Sequence, residues 1–356
     1  MKKLLSLLLA ALLLLTCVAC SAQTDTPSPD ATDAPAATQP PAQSTDAADA
    51  ADEIDYSKLK IAMLVPGSIS DGGFCQLGAE SAEKVRQEFN CTMTVIEAAT
   101  TDLMVSEAES LAEEGYDVIL GHGGQYSTPF AEVAAQYPET WFICTGGNDY
   151  APNQFPVCMR FEEVCYVGGV IAGLMTKSNV IGLAVGGDYP SYTRTTTAFQ
   201  AGAESVNPNV ECLFAVLSEQ TLDAGYENTM NQINAGADFI FCNANSGSLG
   251  ALKAAIEAGI YAFGPMGDYS ADAPDTVVAS GLLKYYVAYI EAIKKAVNGY
   301  ENPTVYFVDS SQGVTELAWN QAMLDKLPDG VYDTAMDVYQ QIKDHKINLP
   351  TSWAGY

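Results

Sequence analysis

The sequence predicts an α/β protein built from two similar Rossmann-like lobes, each with a parallel sheet, that are joined by a hinge. Short apolar runs alternate with helical stretches along most of the chain, and several runs open into glycine-rich loops. A weak internal repeat pairs residues 61–67 with 181–187, residues 114–120 with 235–241, and residues 140–147 with 259–267. Strands that alternate with helices form parallel sheets with helices on both faces. Because the unit occurs twice, we expect two lobes whose strand-end loops face each other across a cleft.

The first strand and the loop after it organise the first lobe. Residues 61–65 form an unbroken apolar run, which is typical of a strand buried on both faces of a parallel sheet. Pro66 and Gly67 end this run, and a helical pattern begins at Phe74. Small ligands bind at the carboxyl ends of such strands. We therefore predict that Asp71 accepts hydrogen bonds from a ligand and that Phe74 stacks on a planar ring. The alternative is an Asp that caps the helix and a Phe in the core.

The other predicted elements follow the same alternation. The rest of the first lobe has strands at 117–120 and 140–144 and helices at 106–114, 130–136 and 162–176. The last of these helices carries small residues, so we expect it to pack tightly and to lead into the second lobe. That lobe has strands at 180–185, 211–216, 238–242 and 261–263 and helices at 195–206 and 249–258. A helix at 285–297 returns to the first lobe, and residues 303–356 supply final strands and packing.

The N-terminal end has the pattern of an export signal. Two lysines precede an apolar run at residues 4–15, which is too short to span a membrane. The segment ends with Ala19 and Cys20 and resembles a lipobox, in which the Cys becomes lipidated. We predict that residues 1–20 are a lipoprotein signal peptide and that lipid on Cys20 holds the protein at the extracytoplasmic face of the cell membrane. The alternative is a secretory signal without lipid.

Composition divides the remainder into a tether and a folded body. Residues 21–55 are nearly all Ala, Asp, Thr, Pro, Ser and Gln, which predicts a disordered tether. Residues 56–356 are long enough for two cores. We place the first lobe at about 56–165 with a return near 284–300, and the second at about 178–280 with the C-terminal segments.

Charge and cysteine content restrict the partners. The chain has 44 acidic and 16 basic residues and a formal charge of −28, which argues against nucleic acid and anionic surfaces as partners. Seven cysteines follow Cys20, and an odd number cannot all pair within one chain. Most lie in apolar runs, so we interpret them as small core residues. No cysteine shows metal-ligand spacing.

Other strand-end loops offer further candidate ligand contacts. His122 follows a strand and either bonds a ligand or fixes loop backbone, whereas Asn245 lies in the loop after a second-lobe strand. Asp268 either faces the cleft or forms a turn. Lys284 is either a hinge or cleft donor or a solvated helix lysine.

Signals for catalysis are poor. The chain has two His, His122 and His345, so a His-based triad or metal trio is scarcely available. It has no phosphate-binding Gly-x-x-x-x-Gly-Lys-Ser/Thr loop and no Gly-x-Gly-x-x-Gly motif. We therefore predict a binding protein without enzymatic activity, cofactor or metal.

Several motifs resemble the basic membrane protein family, lipoproteins similar to the purine nucleoside receptor A (PnrA) of ABC transporters. The resemblance extends over the whole body. Its motifs are Gly-Ser-Ile-Ser-Asp-Gly-Gly-Phe-Cys-Gln at 67–76, Glu-Gly-Tyr-Asp-Val-Ile at 114–119 with Gly123, the block 161–177, and the segments 135–142, 199–208, 236–238 and 280–284. The block at 161–177, Phe-Glu-Glu-x-x-Tyr-x-x-Gly-x-x-Ala-Gly-Leu-Met-Thr-Lys, is the most specific.

The resemblance implies a type I periplasmic-binding-protein fold that closes on a purine nucleoside and presents it to an ABC permease. Phe74 takes the family's base-stacking position with Asp71 beside it, and Lys284 takes that of the ribose-side lysine. Gly123 and Met266 fall at matched ligand-loop positions. Val65 and Met266 stand where the nucleoside receptors carry Asp, and Cys75 replaces an Asn.

These departures and the motifs leave several functions open. Loss of two carboxylates removes acceptors for ribose hydroxyls and for the base, so a free base or another small planar ligand is an alternative. A ligand sensor without a transport role is a second alternative. A nucleoside hydrolase or phosphorylase that uses Asp71 and Asp268 is the alternative from another class.

Overall fold

The computed structural model describes residues 54–70 and 74–349. The strands in this part of the chain are β1 (Lys60–Val65), β2 (Thr92–Glu97), β3 (Val118–Gly121), β4 (Trp141–Thr145), β5 (Gln154–Met159), β6 (Val180–Val185), β7 (Glu211–Val216), β8 (Phe239–Asn243), β9 (Tyr261–Met266), β10 (Val277–Leu283), β11 (Tyr306–Val308) and β12 (Thr315–Trp319). They form two six-stranded sheets in the orders β11-β5-β4-β3-β1-β2 and β12-β10-β9-β8-β6-β7. The same order in both sheets reflects the repeat in the sequence.

Helices cover both faces of each sheet, as the alternating pattern predicts. They are α1 (Phe74–Phe89), α2 (Thr101–Glu113), α3 (Ser127–Ala134), α4 (Glu162–Met175), α5 (Pro190–Val206), α6 (Leu222–Asn234), α7 (Ser246–Ala258), α8 (Tyr285–Val297) and α9 (Val331–Lys343). One apolar core lies between the first sheet and α2 and α3, and another lies between the second sheet and α6 and α7. The largest core joins α1, α8, α4, α5 and α9 on the remaining faces. No helix in the described ranges is both long and apolar enough to cross a bilayer.

The fold class is confirmed, with one strand that runs against the others. All pairings in the first sheet are parallel, but β12 pairs with β10 in the antiparallel direction. The C-terminal segment contributes to both sheets, since β11 joins the first and β12 the second. An antiparallel edge strand needs no crossover helix, so it does not show in the alternating pattern.

Some boundaries and two strands differ from the sequence-based expectation. Helix α2 begins at Thr101 because Thr100 caps it, its hydroxyl accepting a hydrogen bond from the Leu103 N–H. Helix α5 begins at Pro190, since proline fits the first helical position. Strand β2 is half-exposed and β5 contains a proline, so neither has a clear strand pattern.

Three connections join the two sheets within the part of the chain that the structure describes. The chain passes from β5 to α4 at Arg160, from β10 to α8 at Lys284, and from β11 to β12 through residues 309–314. The Arg160 N–H donates to the Val308 carbonyl at 2.9 Å. The Lys284 N–H donates to the Val314 carbonyl at 2.8 Å. The connections are therefore bonded to one another beside the interlobe cleft.

Candidate functional site

A cleft of about 560 Å³ lies between the carboxyl ends of the two sheets. The first lobe lines it with Phe74, Gly123, Gly124, Gln125, Thr145, Gly146, Gly147 and Asn148. The second lobe lines it with Tyr189, Pro190, Ser191, Tyr192, Arg194, Asn243, Asn245 and Met266. Residues near the lobe connections complete it: Val157, Cys158, Met159, Phe161, Leu283 and Tyr285. Its volume is that of a small-molecule site.

Phe74 begins α1 and presents its ring to the cleft. The side chain is 40% exposed although most large apolar residues near it are buried. One side of the ring stacks on the imidazole of His122, with ring centroids 4.0 Å apart, and the ring forms a T-shaped pair with Tyr285, with centroids 5.9 Å apart. The rest of the ring is available to stack on a planar ligand.

The imidazole of His122 packs against one face of the Phe74 ring and does not line the cleft. It is fully buried, and its Nε2 lies 2.8 Å from the Phe74 carbonyl oxygen. A carbonyl only accepts, so Nε2 carries the hydrogen and donates. Nδ1 lies 2.7 Å from the Tyr289 hydroxyl. Of the two roles that the sequence leaves open, the structure places His122 in the one that fixes loop backbone.

Gly123 shapes the first-lobe wall. Its φ of 128° is unfavourable for other residues, and an added Cβ would lie 2.2 Å from the Gln125 side chain. Its N–H donates to the Thr145 hydroxyl at 2.8 Å, which joins the loops after β3 and β4. These loops place Gln125 and Asn148 at the cleft.

Asn245 and Met266 lie on the second-lobe side with strained backbones. Asn245 has φ 47° and ψ −123°, and Met266 has φ 61°. The Asn245 amide nitrogen donates to Gln220 Oε1, which also accepts from the Tyr192 hydroxyl at 3.1 Å. Strained non-glycine residues cluster at ligand sites.

A buried ion cluster holds Arg194 at the cleft. The Glu162 carboxylate is fully buried and lies 3.0 Å from Arg160 Nε and 3.3 Å from Arg194 Nε. Arg194 also donates to the Met159 carbonyl and to Cys158 Sγ, each at 3.1 Å. The guanidinium is therefore held in place, and it shares the Glu162 carboxylate behind the wall with Arg160.

The described lining of the cleft contains no carboxylate. Two of its hydroxyls stay neutral, because burial raises the pKa of Tyr192 and raises that of Tyr285 to about 12. The wall combines aromatic rings with amide groups, although the whole chain is strongly acidic. Such a wall suits a flat, neutral, polar-edged molecule.

Two candidates are not among the residues that line this cleft, and one lies outside the described residues. Asp268 is exposed, and its carboxylate accepts from the Ser270 N–H at 2.9 Å, which is the turn-forming role. Lys284 pairs with Glu316 at 2.5 Å beside the lobe connection. Neither belongs to the lining. Asp71 is not among the described residues, and neither is Cys20.

Sequence reasoning missed several lining residues. Tyr189 and Tyr192 follow β6, and Asn148 follows β4, so all three lie at strand ends. The internal repeat aligns the loop after β6 with the loop that carries Phe74, and it could have indicated the two tyrosines. Tyr285 and Arg194 carried no such signal.

The comparisons with known proteins decide the family. Residues 58–352 match the family model described as "ABC transporter substrate-binding protein PnrA-like". The chain belongs to this family. It is therefore a solute-binding protein of the ABC transporter class, and membership implies a small-molecule ligand and a permease partner.

Relatives of known name support the assignment to the PnrA-like family. The chain is 26% identical over 300 residues to a purine-binding protein of Brucella abortus, covering 82% of this chain and 83% of that protein. It is 23% identical over 271 residues to the transcriptional activator protein med of Bacillus subtilis, covering 75% and 84%.

Solved structures show the same fold. A transcriptional activator of the comK gene from Bacillus halodurans has a TM-score of 0.72 at 18% identity, covering 81% of this chain and 99% of that one. An ABC transporter solute-binding protein from Conexibacter woesei has a TM-score of 0.65 at 20% identity, covering 82% and 98%.

Proposed function

We propose that this protein binds a purine nucleoside or a related free base in the interlobe cleft and delivers it to a membrane permease. The observation that carries the proposal is the exposed ring of Phe74 in an aromatic and amide-lined cleft whose described lining contains no carboxylate. A relative at 26% identity is named a purine-binding protein. A base that stacks on Phe74 would meet amide groups at its polar edge.

The lining favours a ligand with few hydroxyls over one that is rich in them. Each sugar hydroxyl carries a hydrogen that needs an acceptor, an ionised carboxylate only accepts, and no carboxylate lines the described cleft. Val65 is fully buried in β1, and Met266 presents an apolar side chain. We propose Asp71 as the acceptor that would serve a ribose, together with Gly123 and Asn245 as loop contacts.

We further propose that lipid on Cys20 anchors the protein at the extracytoplasmic face of the cell membrane. The signal-like segment at 1–20 and the polar tether at 21–55 support this role. Several acyl chains on one cysteine would hold the protein stably, whereas one chain alone binds marginally. Growth with labelled palmitate should label the wild type, and Cys20→Ala should remove the label.

The ligand proposal is tested by titrating the purified protein with purine nucleosides, free bases and sugars. Phe74→Ala should weaken purine binding by about 1–3 kcal/mol, because stacking on an aromatic ring contributes that much. Phe214 is 50% exposed on β7 and lies outside the cleft lining, so Phe214→Ala is the matched control. Purine binding that is unchanged in Phe74→Ala, or absent from the wild type, would contradict the proposal.

A sensor role is the second candidate function. One sequence relative is named a transcriptional activator, and a solved structure of another transcriptional activator has the same fold with a TM-score of 0.72. In this role the same cleft would report the ligand to another protein. Deletion of the gene should abolish purine uptake if the protein serves a permease, and should leave uptake intact if it serves only as a sensor.

A further inference from the structure

Gln220 lies behind the second-lobe wall of the cleft, in the segment between β7 and α6. It does not line the cleft itself. Its Nε2 donates to the Gly186 carbonyl at 2.9 Å. A Cβ on Gly186 would lie 2.7 Å from Gln220 Cδ, so the glycine allows the amide to lie against the end of β6.

The orientation of the Gln220 amide follows from its partners. The Gly186 carbonyl can only accept, so the amide nitrogen must face it. The amide oxygen then points the other way and can only accept. Its two partners, Asn245 and Tyr192, must both donate. One backbone carbonyl therefore determines the orientation of three side chains.

These hydrogen bonds decide which atoms of Asn245 and Tyr192 remain available on the cleft side. The Asn245 amide nitrogen is directed to Gln220, so its oxygen Oδ1 is directed elsewhere. That oxygen does not cap α7, which has no side-chain cap. Asn245 is exposed and lines the cleft, as does Tyr192. Tyr192 uses its one hydrogen on Gln220, so towards a ligand its oxygen can only accept. At these two side chains the wall therefore offers acceptors to a ligand.

We propose that Gln220 is a positioning residue that makes the Asn245 and Tyr192 side chains hydrogen-bond acceptors towards the cleft, so that the cleft selects purines bearing an exocyclic amino group. This inference rests on the proposed function. Without Gln220, the Asn245 amide could rotate and offer either its oxygen or its nitrogen, and Tyr192 could donate.

The test compares ligand pairs that differ by one amino group: adenosine with purine riboside, adenine with purine, and guanosine with inosine. Affinities are measured by calorimetry on the wild type and on three variants. Gln220→Met removes both polar atoms at similar length. Gln220→Glu keeps oxygens that accept from Asn245 and Tyr192. Gln200→Met is the control, since Gln200 is exposed on α5 and bonds Glu204.

We expect the wild type to prefer the amino member of at least one pair by about tenfold, the effect of one hydrogen bond. Gln220→Met should bring that ratio to about one, whereas Gln220→Glu and Gln200→Met should keep it. A purely structural role for Gln220 would weaken both members of a pair equally and leave the ratio unchanged.

The outcomes separate the inference from the function on which it rests. Purine binding without preference for the amino member would overturn the inference and leave the proposed function standing. A preference that persists in Gln220→Met would do the same. If the wild type binds none of the six compounds, both proposals are wrong.

Discussion

At the scale of single residues, strain in the backbone marks the second-lobe side of the cleft. Most non-glycine residues with positive φ here are asparagines, a residue type that tolerates this region in turns. Asn245 differs because its ψ of −123° is typical of a position that glycine dominates. Such a conformation costs about 1–3 kcal/mol and persists only where the surroundings impose it. Asn245 therefore keeps a side chain at a position where glycine would be less strained.

The change Asn245→Gly should separate stability from binding. Glycine relieves the strain. It also gives the unfolded chain more conformational entropy, which lowers the free energy of unfolding by about 0.4–1 kcal/mol. The free energy of unfolding should therefore rise by about 1 kcal/mol, while ligand affinity falls because the amide is lost. Urea denaturation and ligand titration measure the two effects.

Asn90→Gly is the matched control for this change. Asn90 has φ 51° at the end of α1 and is exposed outside the cleft lining. This variant should leave ligand affinity unchanged. Unchanged affinity in Asn245→Gly as well would show that the Asn245 side chain does not contact the ligand.

At the scale of elements, buried carboxylates at the start of α4 bond to other parts of the lobe connections. Its first turn carries Glu162 and Glu163, both buried. Glu163 accepts a hydrogen bond at 2.8 Å from the Ser310 N–H, which lies in another lobe connection. Burial raises the pKa of Glu163 to about 7, although Ser310 and Arg160 act in the opposite direction. The carboxyl therefore changes charge near neutral pH.

Glu163→Gln should change how stability depends on pH. The unfolded carboxyl titrates near 4.5 and the folded one near 7, so the folded chain binds more protons between these values. The free energy of unfolding that Glu163 contributes is therefore present below pH 4.5 and lost as the pH rises to about 7. A Gln side chain does not titrate, so Glu163→Gln does not lose stability for this reason as the pH rises.

Relative to wild type, Glu163→Gln should gain up to about 3 kcal/mol of stability between pH 5 and pH 8. Urea denaturation of both proteins at the two pH values measures this gain, and each protein at pH 5 is its own reference. Parallel pH curves for the two proteins would mean that Glu163 keeps an ordinary pKa in the folded chain.

At the scale of the whole molecule, three connections and a shared apolar core hold the lobes beside the cleft. Closure in such proteins changes a few backbone dihedrals at the connections and moves the lobes as rigid bodies. Lys284 lies at one connection, where hydrogen bonding to Glu316 raises its pKa. In this arrangement its side chain pairs with Glu316 of β12 at the lobe connection and is not part of the cleft lining.

Lys284→Met tests whether this lysine acts through the hinge or reaches a ribose on closure. An exposed ion pair contributes about 0–1 kcal/mol, so a hinge role predicts a change of at most about fivefold in affinity. That change should be the same for a nucleoside and for its free base. Calorimetry with adenosine and adenine measures both.

Lys253→Met, which removes an exposed helical ion pair to Glu257, is the control. It should change neither affinity. A loss confined to the nucleoside in Lys284→Met would return Lys284 to the ribose site that the family resemblance implies.

The sequence by itself determined the two-lobe architecture and where most of the cleft loops lie. Period and turn residues are local properties, and the internal repeat can be read from the sequence alone, so together they predict β1, α8 and the loops that carry Phe74, Gly123, Asn245 and Met266. Parallel topology then brings strand-end loops to one edge of each sheet.

Only the tertiary structure decided which side chains in those loops face the cleft. His122 is directed inward because the Phe74 carbonyl and Tyr289, distant in sequence, bond its ring. The Asp268 carboxylate accepts a hydrogen bond within its own turn. Tyr192 and Asn245 line the cleft, and both donate hydrogen bonds to Gln220 behind the wall. Side-chain direction depends on contacts between residues far apart in the chain, and a local pattern does not contain that information.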